Sequence, residues 1–165
     1  MQDKEKVYFA VCSAILKLEI EKGHLKWSIT DIAKVSEITR SLIYYYFGKE
    51  KDVILKEAYR FIFEVFFTPP MNTRTGSVTT RMKKTLIDLG YMPYLFVLYY
   101  LQKNTDSEVG QMLRKAEEQL LVYLQNLLPN LSKTQVLELY LKELGAIAYH
   151  LSPEQVDDVF GMYQK

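Results

Sequence analysis

The chain has 165 residues, 48% of them hydrophobic and 25% charged, with a formal net charge of +1. That supplies a core for one ordinary domain, or for a small head fused to a larger body, and the single cysteine excludes an internal disulfide. No run of about 18 apolar residues occurs, so no membrane span is expected, and the opening MQDKEKVYFA lacks an apolar signal region, which predicts a cytoplasmic protein.

Almost every segment reads as helix, and no period-two strand pattern survives inspection. Val7, Val11, Ile15 and Leu18 form one stripe of a first helix that ends near Gly23. Cys12 lies among its apolar positions, where a buried, inert thiol is expected.

The stretch from Ile29 to Phe47, ITDIAKVSEITRSLIYYYF, reads as two short helices joined by a tight turn. Ser28 can cap the first, with Asp31 suiting its positive end. Ala33 is small where a crossing helix must come close. Ser36-Glu37-Ile38 breaks the pattern, and Thr39 can cap a second helix carrying Ile43 and Phe47 one turn apart. A small residue, a turn and two apolar anchors within about 20 residues predict a helix-turn-helix, which places its second helix in the major groove of DNA.

On that second helix Ile43 and Phe47 point inward with Tyr46 beside them, while Ser41, Tyr44 and Tyr45 point outward and Arg40 and Leu42 flank them. Arginine reads guanine through paired hydrogen bonds, tyrosine hydroxyls hold phosphates or bases, and a capped helix start can hold a phosphate. For Tyr46, packing and DNA contact weigh equally. Residues 1–51 hold nine basic and seven acidic side chains, and the remainder twelve and thirteen. So small an excess makes DNA contact depend on the placement of Lys26, Lys34, Arg40, Lys49 and Lys51, each equally readable as solvated surface charge.

The segment DIAKVSEITRSLIYYYF resembles the amino-terminal motif of the tetracycline-repressor (TetR) family, whose usual form is close to DIAKAAGVSKGTLYYYF. The matching positions are Asp31, Ile32, Ala33, Lys34, Ile38, Thr39, Arg40, Tyr44, Tyr46 and Phe47, and a helix of the expected form, AVCSAILKLEIEKG, precedes them. The resemblance covers roughly the first third of the chain. It implies an all-α fold with a three-helix DNA-binding head (1–50) and a helical effector-binding and dimerisation body (51–165). It also implies a homodimeric regulator of transcription, a repressor released from a palindromic operator in duplex DNA by a small molecule of unknown identity. DNA contacts would fall on Thr39, Arg40, Ser41, Tyr44, Tyr45 and Tyr46, with Ser28, Lys49 and Lys51 at the margins. Three positions depart from the family. Glu37 stands where glycine is usual, at a cost of about 1 kcal/mol if the backbone there is left-handed. Glu50 replaces a lysine, leaving Lys49 or Lys51 to meet the phosphate. Leu42 stands where a small or polar residue is common.

Lys51 to Phe67 reads as a long apolar helix, stopped by Thr68-Pro69-Pro70 and followed by a loop over 71–76. It would link head to body and couple them by pivoting. Ser77 to Leu89, ending at Gly90, and Pro93 to Lys103 follow. Thr105 with Glu108 predicts a capping box opening a helix through Leu128, Ser132 with Gln135 opens another, and Ser152-Pro153-Glu154-Gln155 the last. Val136, Tyr140, Leu144, Ile147 and Leu151, followed by Val156 and Phe160, form an apolar arc. It reads either as one more core face or as a dimer interface, and the resemblance favours the dimer. The body's aromatics are more often core than pocket at such helical spacing, but phenol rings suit an amphipathic ligand, and Phe61, Tyr94, Tyr99 and Tyr123 are the expected residues near an effector pocket of the kind the resemblance implies.

Catalytic chemistry has little to stand on. His24 and His150 each lack a nucleophile or carboxylate at triad-like spacing, and no glycine-rich phosphate loop occurs. No metal site, cofactor or enzymatic activity is expected. Glu37, Glu50 and the low net charge leave one alternative, a helical dimer serving as a protein-interaction module with weak or lost DNA binding.

Overall fold

The computed structural model describes residues 4–67 and 77–163, and these form an all-α protein. In chain order the helices are α1 (Lys4–Lys22), α2 (Ile29–Ser36), α3 (Arg40–Phe47), α4 (Lys51–Phe67), α5 (Val78–Tyr91), α6 (Tyr94–Gln102), α7 (Glu108–Leu127), α8 (Lys133–Tyr149) and α9 (Pro153–Phe160), with a 3₁₀ turn over Gly161–Tyr163. The expected stop at Thr68–Pro70 and the loop 71–76 lie outside the described residues. None of the described helices is long and apolar enough to cross a membrane.

The chain divides into two compact units, one of Met1–Val65 with Tyr91–Leu113 and one of Phe66–Gly90 with Arg114–Lys165. The cuts therefore fall elsewhere than between 50 and 51. Tyr8 shows why, because its hydroxyl donates to Glu57 at 3.3 Å and its ring meets Phe61 at 5.1 Å, tying α4 to α1. Ile54, Ala58 and Ile62, one turn apart on α4, are fully buried.

In the first unit α1 is the central element, packed against α2 and α6. Val7, Val11, Ile15 and Leu18 are buried as the stripe predicts, but so are Tyr8, Cys12, Ala14 and Leu16. Apolar residues cover more than one face, and a helix of that kind belongs inside. It stops at Gly23, whose φ of +92° suits a residue without a side chain.

The core of the second unit is built from residues four apart. Val78, Met82 and Leu86 on α5 meet Leu120, Leu124 and Leu128 from the α7 segment, Val136, Leu139 and Tyr140 on α8, and Val156 and Phe160 on α9. Burying each large side chain of this set stabilises the fold by about 1.5–3 kcal/mol. Arg81 of α5 reaches into this core and pairs with Glu143 of α8. Burial pushes the Glu143 carboxyl above its ordinary value, against the pull of Arg81. The Arg81 Nε has no hydrogen-bond partner among the described residues.

Capping boxes form at Ser132 and Ser152, with the Gln135 and Gln155 side chains accepting the cap N–H at 2.8 Å and Pro153 in the first turn. Two boundaries differ from expectation. Gly90 lies within α5, which runs on to Tyr91. The cap of α7 is Ser107, not Thr105: the Ser107 hydroxyl accepts from the Gly110 N–H at 3.0 Å, while Thr105 donates to the Gln102 carbonyl at 2.8 Å. Gly110 fixes this choice. A Cβ there would collide with the backbone carbonyls of Gln102 and Thr105, so only glycine lets the new helix start so close to the old one.

Candidate nucleic-acid interface

The start of α2 is held from both sides. Ser28 accepts the Asp31 N–H at 3.2 Å, and the Asp31 carboxylate accepts the Ser28 N–H at 2.8 Å in return. Lys22 stands 2.7 Å from the same carboxylate. Its hydrogen bond, followed by those from Ser28, lowers the Asp31 carboxyl to about 2. Ser28, given above as a DNA contact, thus serves first as a cap.

Glu37 ends α2 with φ +58° and ψ +21°, the left-handed conformation that glycine would adopt without cost. The Ser36 hydroxyl supports this turn, donating to the Ile32 carbonyl at 2.7 Å and accepting from the Ile38 N–H at 3.3 Å. Ile38 is buried beneath it. Thr39 then caps α3, its hydroxyl facing the Leu42 N–H. The resulting pair of eight-residue helices is joined by three residues, 37–39.

The inner face of α3 carries Ile43 and Phe47, both buried, and the Tyr8 ring packs on Phe47 at 4.7 Å. Its outer face carries Thr39, Arg40, Ser41, Tyr44 and Tyr45, all exposed. Tyr45 is 79% exposed. Arg40 forms no ion pair among the described residues. Tyr46 lies between the faces, edge-on to Tyr8 at 5.7 Å and to Tyr45 at 4.9 Å. That geometry favours its packing role. Leu42 is half-buried.

Lys49 and Glu50 are exposed beyond Gly48, whose φ is +86°. The Glu50 carbonyl accepts the Ile54 N–H at 2.9 Å and so opens α4, while its carboxylate has no partner among the described residues. Lys51 is engaged inside the unit. Its ammonium donates to the Leu25 carbonyl at 3.0 Å and lies 5.7 Å from the centre of the Trp27 ring. Lys51 is thus a tie within the unit, whereas Lys49 is exposed.

Two further sets of residues are placed as follows. In the first unit a cavity of about 520 Å³ opens among the end of α1, α4, α6 and the start of α7. None of Phe61, Tyr94, Tyr99 and Tyr123 lines it. Phe61 packs instead on Tyr8 and Phe9, Tyr94 points its hydroxyl to Glu21, Tyr99 is buried under Lys103, and Tyr123 packs against the core of the second unit. Tyr59, which does line it, carries no local signal, being one of several aromatics on α4.

The arc read either as a core face or as a dimer interface is buried in part. Val136, Tyr140, Val156 and Phe160 belong to the second unit's core, and Leu144, Ile147 and Leu151 pack against it. What α8 leaves exposed is a neighbouring stripe with Leu137 and Leu141. Among the described residues no group of three or more histidine, cysteine or acidic side chains is placed to hold a metal ion. Comparison with protein-family models, curated proteins and solved structures gave no match.

Proposed function

We propose that this chain is a DNA-binding regulator of transcription, of the kind its resemblance to the tetracycline-repressor family implies, and that α3 is its recognition helix. One observation carries the reading: α3 buries Ile43 and Phe47 while opening Thr39, Arg40, Ser41, Tyr44 and Tyr45 to solvent. An isolated helix face of arginine, hydroxyls and phenols, with no carboxylate in it, suits a groove lined by phosphates and base edges. Lys49 extends the face toward the backbone.

A palindromic site would require two copies, and the exposed Leu137 and Leu141 of α8 offer an apolar surface for pairing. A small-molecule effector would release the DNA only through unequal affinity for the DNA-competent and incompetent states.

Selection of bound sequences from random duplex DNA tests the reading. Enrichment of an inverted repeat, bound with affinity that falls steeply as salt rises, is the expected result. A second reading rests on Glu50, an exposed carboxylate at the edge of the proposed interface, which would repel a phosphate. It makes the chain a protein-interaction module. Under that reading the protein passes through heparin at low salt, and the selection enriches nothing.

A further inference from the structure

We propose that the cavity in the first unit binds an amphipathic cation, a molecule with an ammonium-type head and an apolar body. At about 520 Å³ the cavity falls within the usual range for small-molecule sites, roughly 300–1,000 Å³. Leu55, Leu98, Leu101, Val109 and Met112 supply a mainly apolar wall.

The charges in that wall are not balanced. Glu19, Asp52 and Glu108 face Lys56 as the one ammonium, and Lys56 is already paired with Glu108 at 3.4 Å. Asp52 has no ion pair among the described residues. Glu19 is fixed, its side chain only 7% exposed, and it accepts hydrogen bonds from the Leu25 N–H at 2.8 Å and from the Trp27 indole. His24 contacts it at 3.0 Å but is largely exposed. An incoming cation would therefore meet net negative charge beside apolar surface, where attraction is stronger than in water.

Tyr59 adds a polar group to the wall. It is 5% exposed and lines the cavity, yet its hydroxyl makes no hydrogen bond among the described residues. The oxygen is reached by solvent through the cavity mouth. Burial, and then the Glu19 charge, push this phenol well up, so at neutral pH it keeps its proton. It is available to a ligand's polar head as donor or acceptor.

Use of the occupant as an effector rests on the regulator reading, but its binding does not, and the test reads binding alone. The probes are decylammonium, 1-decanol and decanoate, which share one chain length and differ in charge. Each is titrated below its aggregation limit into the full-length protein, followed by calorimetry and by the fluorescence of Trp27, the single tryptophan. Decylammonium is expected to bind one per chain, about tenfold tighter than decanoate, with decanol between them. Asp52→Asn and Leu101→Arg, both at exposed positions, should weaken decylammonium by about tenfold and leave the melting temperature unchanged. Leu101→Arg should also improve decanoate. Failure of decylammonium to bind, equal binding of decanoate, or unaltered binding by both variants would each overturn the proposal. DNA selection is unaffected by any of these outcomes, so the two readings fail separately.

Discussion

The indole N–H of Trp27 donates to the carboxylate of Glu19, joining the end of α1 to the segment that starts α2. Trp27 is buried, and the Leu25 N–H donates to the same Glu19 oxygen, Oε1, at 2.8 Å. Glu19→Ala would leave the indole and an amide without their acceptor. The expected cost is about 3 kcal/mol, from unpaired buried donors at roughly 1–3 kcal/mol each. Glu19→Gln, which keeps an acceptor oxygen, should cost less. Urea unfolding followed by Trp27 fluorescence measures both, and equal stabilities for Ala and Gln variants would show that the hydrogen bonds are not what matters there.

Glu37 pays no visible return for its left-handed backbone. At φ +58° its side chain is exposed and has no hydrogen bond among the described residues. Glu37→Gly should stabilise the fold by about 0.5–1 kcal/mol, the relief of strain outweighing the greater freedom of glycine in the unfolded chain. Glu37→Ala, which keeps a Cβ, should bring no such gain. Thermal melts of the three proteins provide the comparison.

Which features were legible in the sequence follows from how local their causes are. The caps at Ser28, Thr39, Ser132 and Ser152 unite a donor and an acceptor within three residues, and Ile43 with Phe47 repeats at one helical turn. Such relations stand in the sequence itself. The cap of α7 was harder, because Thr105 and Ser107 are both good capping residues, and the tight approach of Gly110 to the end of α6 decides between them. Lys51 finds its acceptor at Leu25, 26 residues away. The cavity draws its wall from four separate segments. On α8 two apolar stripes lie side by side, and only the packing of α5, α7 and α9 determines that Val136 and Tyr140 turn inward while Leu137 and Leu141 stay out.

Acid should loosen the start of α2. Lys22 and Ser28 lower the Asp31 carboxyl from the ordinary 3.8 to about 2. A depressed carboxyl contributes stability that is fully present above its unfolded value and is lost as pH falls through its folded value. The contribution of Asp31 is thus complete above about pH 4 and fades toward pH 2. Asp31→Asn should lower stability at neutral pH and flatten the decline between pH 4 and 2. Urea midpoints at a series of pH values, read by Trp27, test this, and parallel curves for parent and variant would refute it.

Self-association, if the regulator reading holds, should depend on the outer stripe of α8 and not on the buried one. Leu141 is 57% exposed, so Leu141→Lys should leave the fold intact and give monomer in sedimentation. Leu144→Glu is a different experiment, since Leu144 packs against the core of the second unit. Placing a charge at this half-buried position should destabilise that unit by about 0.5–3 kcal/mol. A folded Leu141→Lys variant that still pairs as the parent does would move the interface elsewhere.

Glu50 offers the sharpest test of which surface meets DNA. Its carbonyl opens α4 and its carboxylate is exposed without a partner among the described residues, so the side chain has no evident role in the fold. A phosphate passing the start of α4 would be repelled by Glu50 and attracted by Lys49. Glu50→Lys should then tighten binding to all duplexes alike and steepen the salt dependence by about one phosphate contact. Lys49→Ala should do the reverse, without changing sequence preference. Lys51→Ala should behave differently from both, because that ammonium is held at the Leu25 carbonyl beside Trp27. Its main effect should be on unfolding, with the salt slope unaltered. The opposing possibility is that Glu50 faces away from DNA and acts on the helix start, where an acid contributes about 0.3–1 kcal/mol. Glu50→Lys would then lower the melting temperature slightly and leave the salt slope where it was. Titrations of the four proteins at three salt concentrations, with a melt of each, separate the two roles.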